Sequence, residues 1–187
     1  MKIAILMGSA TPHRRLLAAT QYLLKISKAA TRIDSQLINL SEYQCATGRP
    51  RRENYTLSEI ASRLASAQAV IIGSPVYPGS IPIALENVLY NLPVSSLAGK
   101  PAGILAVGGT FDDFQIVDSH LRSVLPWFDS LVVPFSVYLN ETDFTDLELT
   151  QTARRKLKTL ASAVHTLAET QGFLDSASSA SSATREK

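Results

Sequence analysis

The chain has 187 residues, with 18 lysines and arginines against 16 aspartates and glutamates and a formal net charge of +2. This length suits one domain of ordinary size, and a hydrophobic content of 45% excludes intrinsic disorder over most of the chain. The near-neutral charge provides no strongly basic face, so we expect no nucleic-acid partner. Because Cys45 is the single cysteine, a scaffold held by internal disulfides is also excluded.

The sequence carries no membrane signal. It has no run of about 18 apolar residues, which a spanning helix would need. The apolar start of the chain ends at Gly8, which makes it shorter than the apolar stretch of a signal peptide. We therefore expect a cytoplasmic protein that does not enter a membrane.

Short apolar segments predict strands, and the segments between them have the hydrophobic spacing of helices. The predicted strands are Ile3–Met7, Gln36–Asn39, Ala69–Gly73, Ala102–Val107 and Leu131–Tyr138. Five helices are predicted. The first follows the apolar stripe from Leu16 to Leu24, the second begins at the capping pattern Thr56–Glu59, and the third runs from about Ile81 to before Pro93. The fourth covers roughly Gln115–Phe128, and the fifth follows the apolar stripe from Ala153 to Ala168. Thr145 and Glu148 are the predicted caps of the last helix.

This alternation predicts an α/β domain over residues 1–171, with a doubly wound parallel sheet of strand order 2-1-3-4-5. Residues 172–187 are rich in serine and alanine and cannot bury enough apolar surface to become ordered, so a disordered tail is predicted there. In such a sheet a ligand binds beyond the carboxyl ends of the strands, where the strand order reverses. The loops after the first, third and fourth strands are therefore the candidate site.

The loop after the first strand reads Gly8-Ser9-Ala10-Thr11-Pro12-His13-Arg14-Arg15 and leads into a helix. A helix N-terminus leaves backbone N–H groups unpaired and carries partial positive charge, which suits a phosphate. Ser9 and Thr11 add hydroxyl donors, and Arg14 or Arg15 adds a cation. The alternative is an ordinary turn with solvated arginines.

The other two loops suit a flat ring. Ser74-Pro75-Val76-Tyr77-Pro78-Gly79-Ser80 is held by two prolines and carries one aromatic ring, so it could provide a wall for a heteroaromatic ligand. Gly108-Gly109-Thr110-Phe111-Asp112-Asp113 exposes backbone at a strand end. Each could also be a plain turn, but the fold brings all three loops to one crevice.

The segment Gly73-Ser74-Pro75-Val76-Tyr77-Pro78-Gly79-Ser80-Ile81-Pro82, followed by Ala84-Leu85-Glu86-Asn87, resembles the NADPH-dependent FMN reductase family of flavodoxin-like proteins. Leu97-Ala98-Gly99-Lys100-Pro101 and Gly108-Gly109-Thr110 are also similar to the subgroup that supplies reduced flavin to alkanesulfonate monooxygenases. The resemblance covers about Lys2–Tyr138 and implies a flavodoxin-like three-layer sandwich.

The resemblance implies FMN as cofactor and NADPH or NADH as electron donor. The implied cofactor-binding residues are Ser9, Thr11, Pro12, His13, Arg14 and Arg15 around the phosphate, Pro75, Val76, Tyr77, Pro78 and Gly79 along the ring, and Gly108, Gly109 and Thr110 near its polar edge. Because the flavin carries the hydride chemistry, no catalytic side chain is assigned. The histidines form no metal-ligand pattern, so no metal site is expected.

Four functions remain open. The first is an NAD(P)H-dependent FMN reductase that supplies reduced flavin to a small-molecule acceptor or a flavin-dependent monooxygenase. The second is a quinone, azo-dye or chromate reductase with tightly bound FMN. The third is a non-enzymatic flavodoxin-type electron carrier, and the fourth is a binding module without flavin. The resemblance also implies a homodimer or homotetramer, with the helices after the third and fourth strands as the natural interface.

Overall fold

A computed structural model describes residues 1–29, 33–43, 55–78, 80–109 and 114–183, with side chains as far as residue 172. The strands of the main sheet are β1 (Lys2–Met7), β2 (Asp34–Asn39), β3 (Ala69–Pro75), β4 (Pro101–Val107), β5 (Leu131–Val132) and β6 (Val137–Leu139). The sheet has the order β2-β1-β3-β4-β5, and β6 also pairs with β4. All these pairs are parallel. The predicted fold class and strand order are confirmed.

Five α-helices accompany the sheet in the described residues. They are α1 (Arg14–Ala29), α2 (Tyr55–Ala65), α3 (Ile83–Asn91), α4 (Phe114–Val124) and α5 (Gln151–Ala183). Short 3-10 turns lie at Leu40–Glu42, Val94–Ser96, Leu125–Phe128 and Glu141–Asp143, and a small hairpin consists of β7 (Phe144–Thr145) and β8 (Glu148–Leu149). None of the described helices is long and apolar enough to cross a bilayer.

The continuous apolar strands are explained by burial on both faces of the sheet. Along β1, Ile3 and Ile5 pack into a cluster with side chains of α1 and α5. The alternating residues Ala4 and Leu6 pack into a second cluster with side chains of α2, α3 and α4. Successive side chains of a strand point to opposite faces, so a strand covered by helices on both sides needs apolar residues at every position.

The fifth strand differs from its prediction as one segment, Leu131–Tyr138, because it is interrupted between β5 and β6. Pro134 lies in the gap and has no N–H to donate to a ladder. Side chains of α4 occupy this gap instead: the Arg122 guanidinium donates to Val133 O at 3.1 Å and to Ser136 Oγ at 3.0 Å. Asp118 holds the same guanidinium at 2.9 Å.

The start of α5 also differs from its prediction. Thr145 and Glu148 do not cap the helix but pair with each other across the β7–β8 hairpin. Thr150 is the cap, since its Oγ1 accepts a hydrogen bond from Ala153 N at 3.2 Å. A sequence pattern alone does not separate these two roles, because Thr, Ser and Asp are common both at caps and in turns.

At its other end, α5 continues to Ala183, through residues for which a disordered tail was predicted. The last side chain of the helix in the buried core is Ala168, and Gly172 has open space around it. Once a helix is nucleated, each added residue costs little, and alanine is the best helix former. The division of the chain at residue 171 stays a prediction.

Candidate functional site

Backbone hydrogen bonds continue past the strand ends and hold three loops against one edge of the sheet. Gly8 N donates to Gly73 O at 2.7 Å, which ties the loop after β1 to β3. Val76 N donates to Val107 O at 3.0 Å and ties the loop after β3 to β4. Gly108 N donates to Leu139 O at 3.0 Å in the same way. The three predicted loops therefore start side by side, at the edge where ligands of such sheets bind.

Gly8 allows the first loop to pass closely over α3. A Cβ at this position would lie 2.5 Å from Leu85 Cδ2 and 3.1 Å from Gly73 O. Both are shorter than ordinary contacts, so a side chain here would push the loop away from the helix. This tight packing fixes the position of the loop after β1 relative to α3.

Ser9 is fully buried, and its hydroxyl stabilises the conformation of the first loop. Its Oγ donates to Thr11 O at 2.7 Å and lies 3.4 Å from Thr11 Oγ1. Thr11 and Pro12 themselves are exposed. The hydrogen of Ser9 is thus committed within the loop, whereas Thr11 presents a hydroxyl near the solvent-facing side.

His13 caps the N-terminus of α1. Its Nδ1 accepts a hydrogen bond from Leu16 N at 3.2 Å, and its carbonyl accepts one from Leu17 N at 2.9 Å. Burial lowers the pKa of His13 below 6.5, and the nearby positive charge of Arg15 lowers it further. A ring that accepts at Nδ1 must be neutral and carry its proton on Nε2, so both effects favour the capping form.

The two arginines predicted beside this loop have different environments. The Arg15 guanidinium lies 3.1 Å from Glu141 Oε1, and its Cζ lies 5.9 Å from the centre of the Phe144 ring. It therefore joins the start of α1 to the segment after β6. Arg14 is exposed and has no ion-pair partner among the residues that the structure describes.

The second loop rises from the buried end of β3 to an exposed ring. Pro75 is buried, Val76 is half-buried, and Tyr77 and Pro78 are exposed. Tyr77 is 40% exposed and is paired with Ser80 in an isolated bridge. Gly79 lies outside the described residues. The loop thus offers an apolar surface that ends in an accessible aromatic ring.

The third loop combines one packed glycine with one open glycine. A Cβ at Gly108 would lie 2.8 Å from Val76 Cβ and 3.2 Å from Tyr138 Oη. Gly109 is exposed and has nothing within 4 Å of its Cβ position. Thr110 lies outside the described residues. The backbone at Gly109 is therefore accessible, whereas the missing side chain of Gly108 allows the third loop to pack against the second loop.

The sequence analysis assigned no role in the site to three residues that lie at this edge. The buried Ser74 donates its hydroxyl to Pro75 O at 2.8 Å and supports the start of the second loop. Tyr138 has its hydroxyl beside Gly108, and Glu141 anchors Arg15. Glu141 could have been found, because the segment after the fifth strand reaches the same edge of a parallel sheet.

The chemistry of this edge suits a ligand with a phosphate and a flat ring. The first turn of α1 begins at Arg14, and the N–H groups of Arg14 and Arg15 are available there, whereas those of Leu16 and Leu17 are bonded to His13. Thr11 and the unpaired Arg14 add a hydroxyl and a cation on the same loop. Val76 and Tyr77 provide an apolar wall, and the open backbone at Gly109 can bond the polar edge of a ring. Together these groups match the phosphate and the flat ring of FMN, the cofactor that the resemblance implies.

A neutral His13 makes the stability of the protein depend on pH. The folded-state pKa is lowered, so this contribution is complete above about pH 6.5 and is lost as the pH falls through the folded pKa. In His13→Asn, the amide can still cap α1 but does not titrate. We expect the loss of unfolding free energy between about pH 7.5 and pH 5 to be smaller in this variant than in the native protein, as measured by urea denaturation.

His13→Ala is the matched control for this experiment. It removes the cap at every pH, so it should cost about 1 kcal/mol at pH 7.5 and should also flatten the pH dependence. Equal pH dependence in the Asn variant and the native protein would contradict the assignment of His13 as the neutral cap.

A family model described as NADPH-dependent FMN reductase matches residues 1–143, a range that includes all three loops. An NAD(P)H-dependent FAD/FMN reductase from Geobacillus thermodenitrificans is 26% identical over 149 residues, which are 78% of this chain and 80% of the relative. An NADH-dependent FMN reductase, SfnF, from Pseudomonas fluorescens is 29% identical over 153 residues, 80% of this chain and 82% of the relative. An FMN-dependent NADPH-azoreductase from Staphylococcus saprophyticus is 26% identical over 155 residues, 79% and 81% of the two chains.

Solved structures share the fold. The apo form of an NADH:FMN oxidoreductase superposes with a TM-score of 0.70 at 22% identity and covers 87% of this chain and 89% of its own. A flavodoxin variant from Pseudomonas aeruginosa has a TM-score of 0.61 at 20% identity, over 88% of this chain and 99% of its own. These likenesses confirm the flavodoxin-like architecture that the resemblance implied.

Proposed function

The chain belongs to the NADPH-dependent FMN reductase family of oxidoreductases, and from that membership we propose that it transfers hydride from NAD(P)H to FMN and supplies reduced flavin to a second acceptor. The observation that carries the proposal is the meeting of three loops at one sheet edge. One loop suits a phosphate, one carries an accessible aromatic ring, and one exposes glycine backbone. All three lie within the range that the family model matches.

In this proposal the residues divide into those that bind FMN and those that hold the binding loops. Thr11 and the N–H groups at the start of α1 that His13 leaves free bind the phosphate, and Pro12, which has no N–H to donate, fixes the path of the loop between them. Ser9 and His13 shape that loop through their internal hydrogen bonds. Arg15 acts through Glu141, as a positioning residue that fixes the start of α1.

The remaining proposed residues contact the flavin ring. The apolar surface of Pro75, Val76 and Tyr77 supports one face of the ring, and Pro78 and Gly79 continue that wall. The backbone at Gly108, Gly109 and Thr110 bonds the polar edge. Bound FMN supplies the hydride-accepting chemistry itself. The protein therefore needs to bind, orient and partly cover the reactants, and no acid or base is required for the hydride step.

We also propose that Arg14, and not Arg15, favours NADPH over NADH. NADPH differs by a 2′-phosphate, and an unpaired guanidinium is suited to bind it. Arg15 is already paired with Glu141 at 3.1 Å and lies over Phe144. Its release would cost these contacts, whereas Arg14 has none to lose among the described residues.

Arg14→Ala tests this assignment. At saturating FMN we expect kcat/KM for NADPH to fall about tenfold more than kcat/KM for NADH, since one charge-assisted contact is removed. Arg15→Ala is the control and should leave the NADPH/NADH ratio within about twofold. An unchanged ratio in Arg14→Ala, or a changed ratio in Arg15→Ala alone, would contradict the assignment.

The second candidate is a reductase of azo dyes or quinones that keeps FMN tightly bound. It is favoured by the similarity to the staphylococcal FMN-dependent NADPH-azoreductase over 155 residues. The two candidates differ in whether FMN leaves as a product or stays as a prosthetic group. Both use the same crevice, so the sequence and geometry of the loops favour neither by themselves.

A titration of FMN into the NADPH oxidation assay separates the candidates. For an FMN reductase we expect almost no oxidation without FMN and a hyperbolic rise as FMN is added. Thr11→Ala should raise the half-saturating FMN concentration about tenfold, because a hydroxyl donor to a charged group is lost. Thr170→Ala is the matched control, since that exposed hydroxyl bonds only within α5, to Thr166 O at 2.9 Å.

Two other results of this titration would change the conclusion. A protein purified yellow, unaffected by added FMN and accelerated by an azo dye or quinone, would favour the second candidate. No oxidation of either nicotinamide with any acceptor would contradict both enzyme candidates.

We propose further that the chain forms a homodimer or homotetramer through the outer surface of α3 and the end of α4. Ile83 and Tyr90 lie seven residues apart on one face of α3 and are 64% and 88% exposed. Trp127, in the turn that follows α4, is 77% exposed. Large apolar side chains that are this exposed are typical of subunit interfaces. Light scattering that gave the 20.2 kDa mass of one chain would contradict this proposal.

A further inference from the structure

A second cavity lies at the other end of the sheet from β2, beside the edge strand β6. Its volume is about 610 Å³, within the range of small-molecule sites. It opens between β6 and α5, with the start of α4 at one side. No described residue of the loops after β1 and β3 contributes to its lining. The cavity is thus separate from the phosphate end of the proposed FMN crevice.

One wall of this cavity is aromatic. Phe114 and Tyr138 pack with ring centres 5.3 Å apart and an angle of 35° between their planes. Phe135 also lines the cavity and is 37% exposed. Tyr138 itself is buried, whereas Phe114 is half-buried. The accessible faces of Phe114 and Phe135 on a concave surface suit a flat aromatic ligand, which can stack on them and displace water. This wall therefore selects for a planar ring.

The opposite wall is basic and comes from α5. Thr152, Arg155, Lys156 and Thr159 line the cavity at the spacing of one helix face. Lys156 is neutralised by Asp143, whose two oxygens lie 2.9 and 3.0 Å from its Nζ. Arg155 is exposed and has no acidic partner among the described residues. Among the described residues, the positive charge of Arg155 in this cavity is therefore uncompensated.

We propose that this cavity binds a planar aromatic anion, with its ring against Phe135 and the Phe114–Tyr138 pair and its carboxylate or sulfonate on Arg155. A guanidinium matches the two oxygens of such a group. Thr152 lies on the same helix face and its hydroxyl can add a hydrogen bond, whereas Thr159 Oγ1 already donates to Arg155 O at 3.1 Å. Because the Tyr138 hydroxyl also lies beside Gly108, the ligand would share one wall residue with the third loop.

Isothermal titration of the purified full chain with 2-naphthoate, in the absence of FMN, tests the proposal. We expect saturable binding that is about fivefold weaker in Arg155→Ala and weaker still in Arg155→Glu, because an exposed charge contributes modestly. The neutral analogue 2-naphthamide should bind more weakly than 2-naphthoate to the native protein. Arg155→Lys should recover part of the affinity, since it keeps the charge but not the planar fork.

Lys158→Ala is the matched control, because Lys158 lies on α5 but lines a different cavity of about 240 Å³ beside Ile26 and His165. Equal affinity in Arg155→Ala and the native protein, or no saturable binding at millimolar 2-naphthoate, would overturn the proposal. A loss of affinity in Lys158→Ala would place the ligand in the other cavity and would also overturn it. The assay contains no flavin, so its result is independent of the proposed FMN reductase activity.

Discussion

The parallel register of β1, β3 and β4 is the constraint on which the proposed site depends. Met7 is paired with Gly73, and Pro75 with Val107, so the loop after each strand starts beside the next strand. Backbone hydrogen bonds then continue beyond the strand ends, from Gly8 to Gly73 and from Val76 to Val107. Binding groups from distant parts of the sequence are thereby fixed at one edge before any ligand arrives, which lowers the conformational cost of binding.

The polar contacts at this edge hold the loops in position, and a smaller number of groups remains available to a ligand. Ser9, Ser74 and His13 make their hydrogen bonds within the protein, and Arg15 is engaged with Glu141. The exposed groups are of a different kind: the Thr11 hydroxyl, the Arg14 guanidinium, which has no ion-pair partner in the described part of the chain, the Tyr77 ring and the backbone at Gly109. A rigid support with a few open donors is what a cofactor-dependent reductase needs, since the cofactor brings the reactive atoms.

The fold, and with it the meeting of the three candidate loops at one sheet edge, could be predicted from the sequence, because continuous apolar strands alternate with amphipathic helices and this pattern restricts the topology. The interruption of the fifth strand and the hairpin before α5 were not predicted, since Pro134 and Thr145 are compatible with several local structures. The Arg15–Glu141 pair joins residues 126 positions apart, and no local pattern reveals such a contact. In the sequence, Arg14 and Arg15 are equal candidates for a phosphate contact. Only the fold shows that Arg15 is paired and Arg14 is not among the described residues.

The most direct test of the account is a crystal structure of the protein with FMN. The account predicts the phosphate at the N-terminus of α1 beside Thr11, the ring along Val76 and Tyr77, and its polar edge at Gly109. The three loops should keep their positions to within about 1 Å, as in other preformed sites. A flavin bound elsewhere, for example in the cavity beside β6, or a crevice that forms only after the loops have moved, would contradict the central claim.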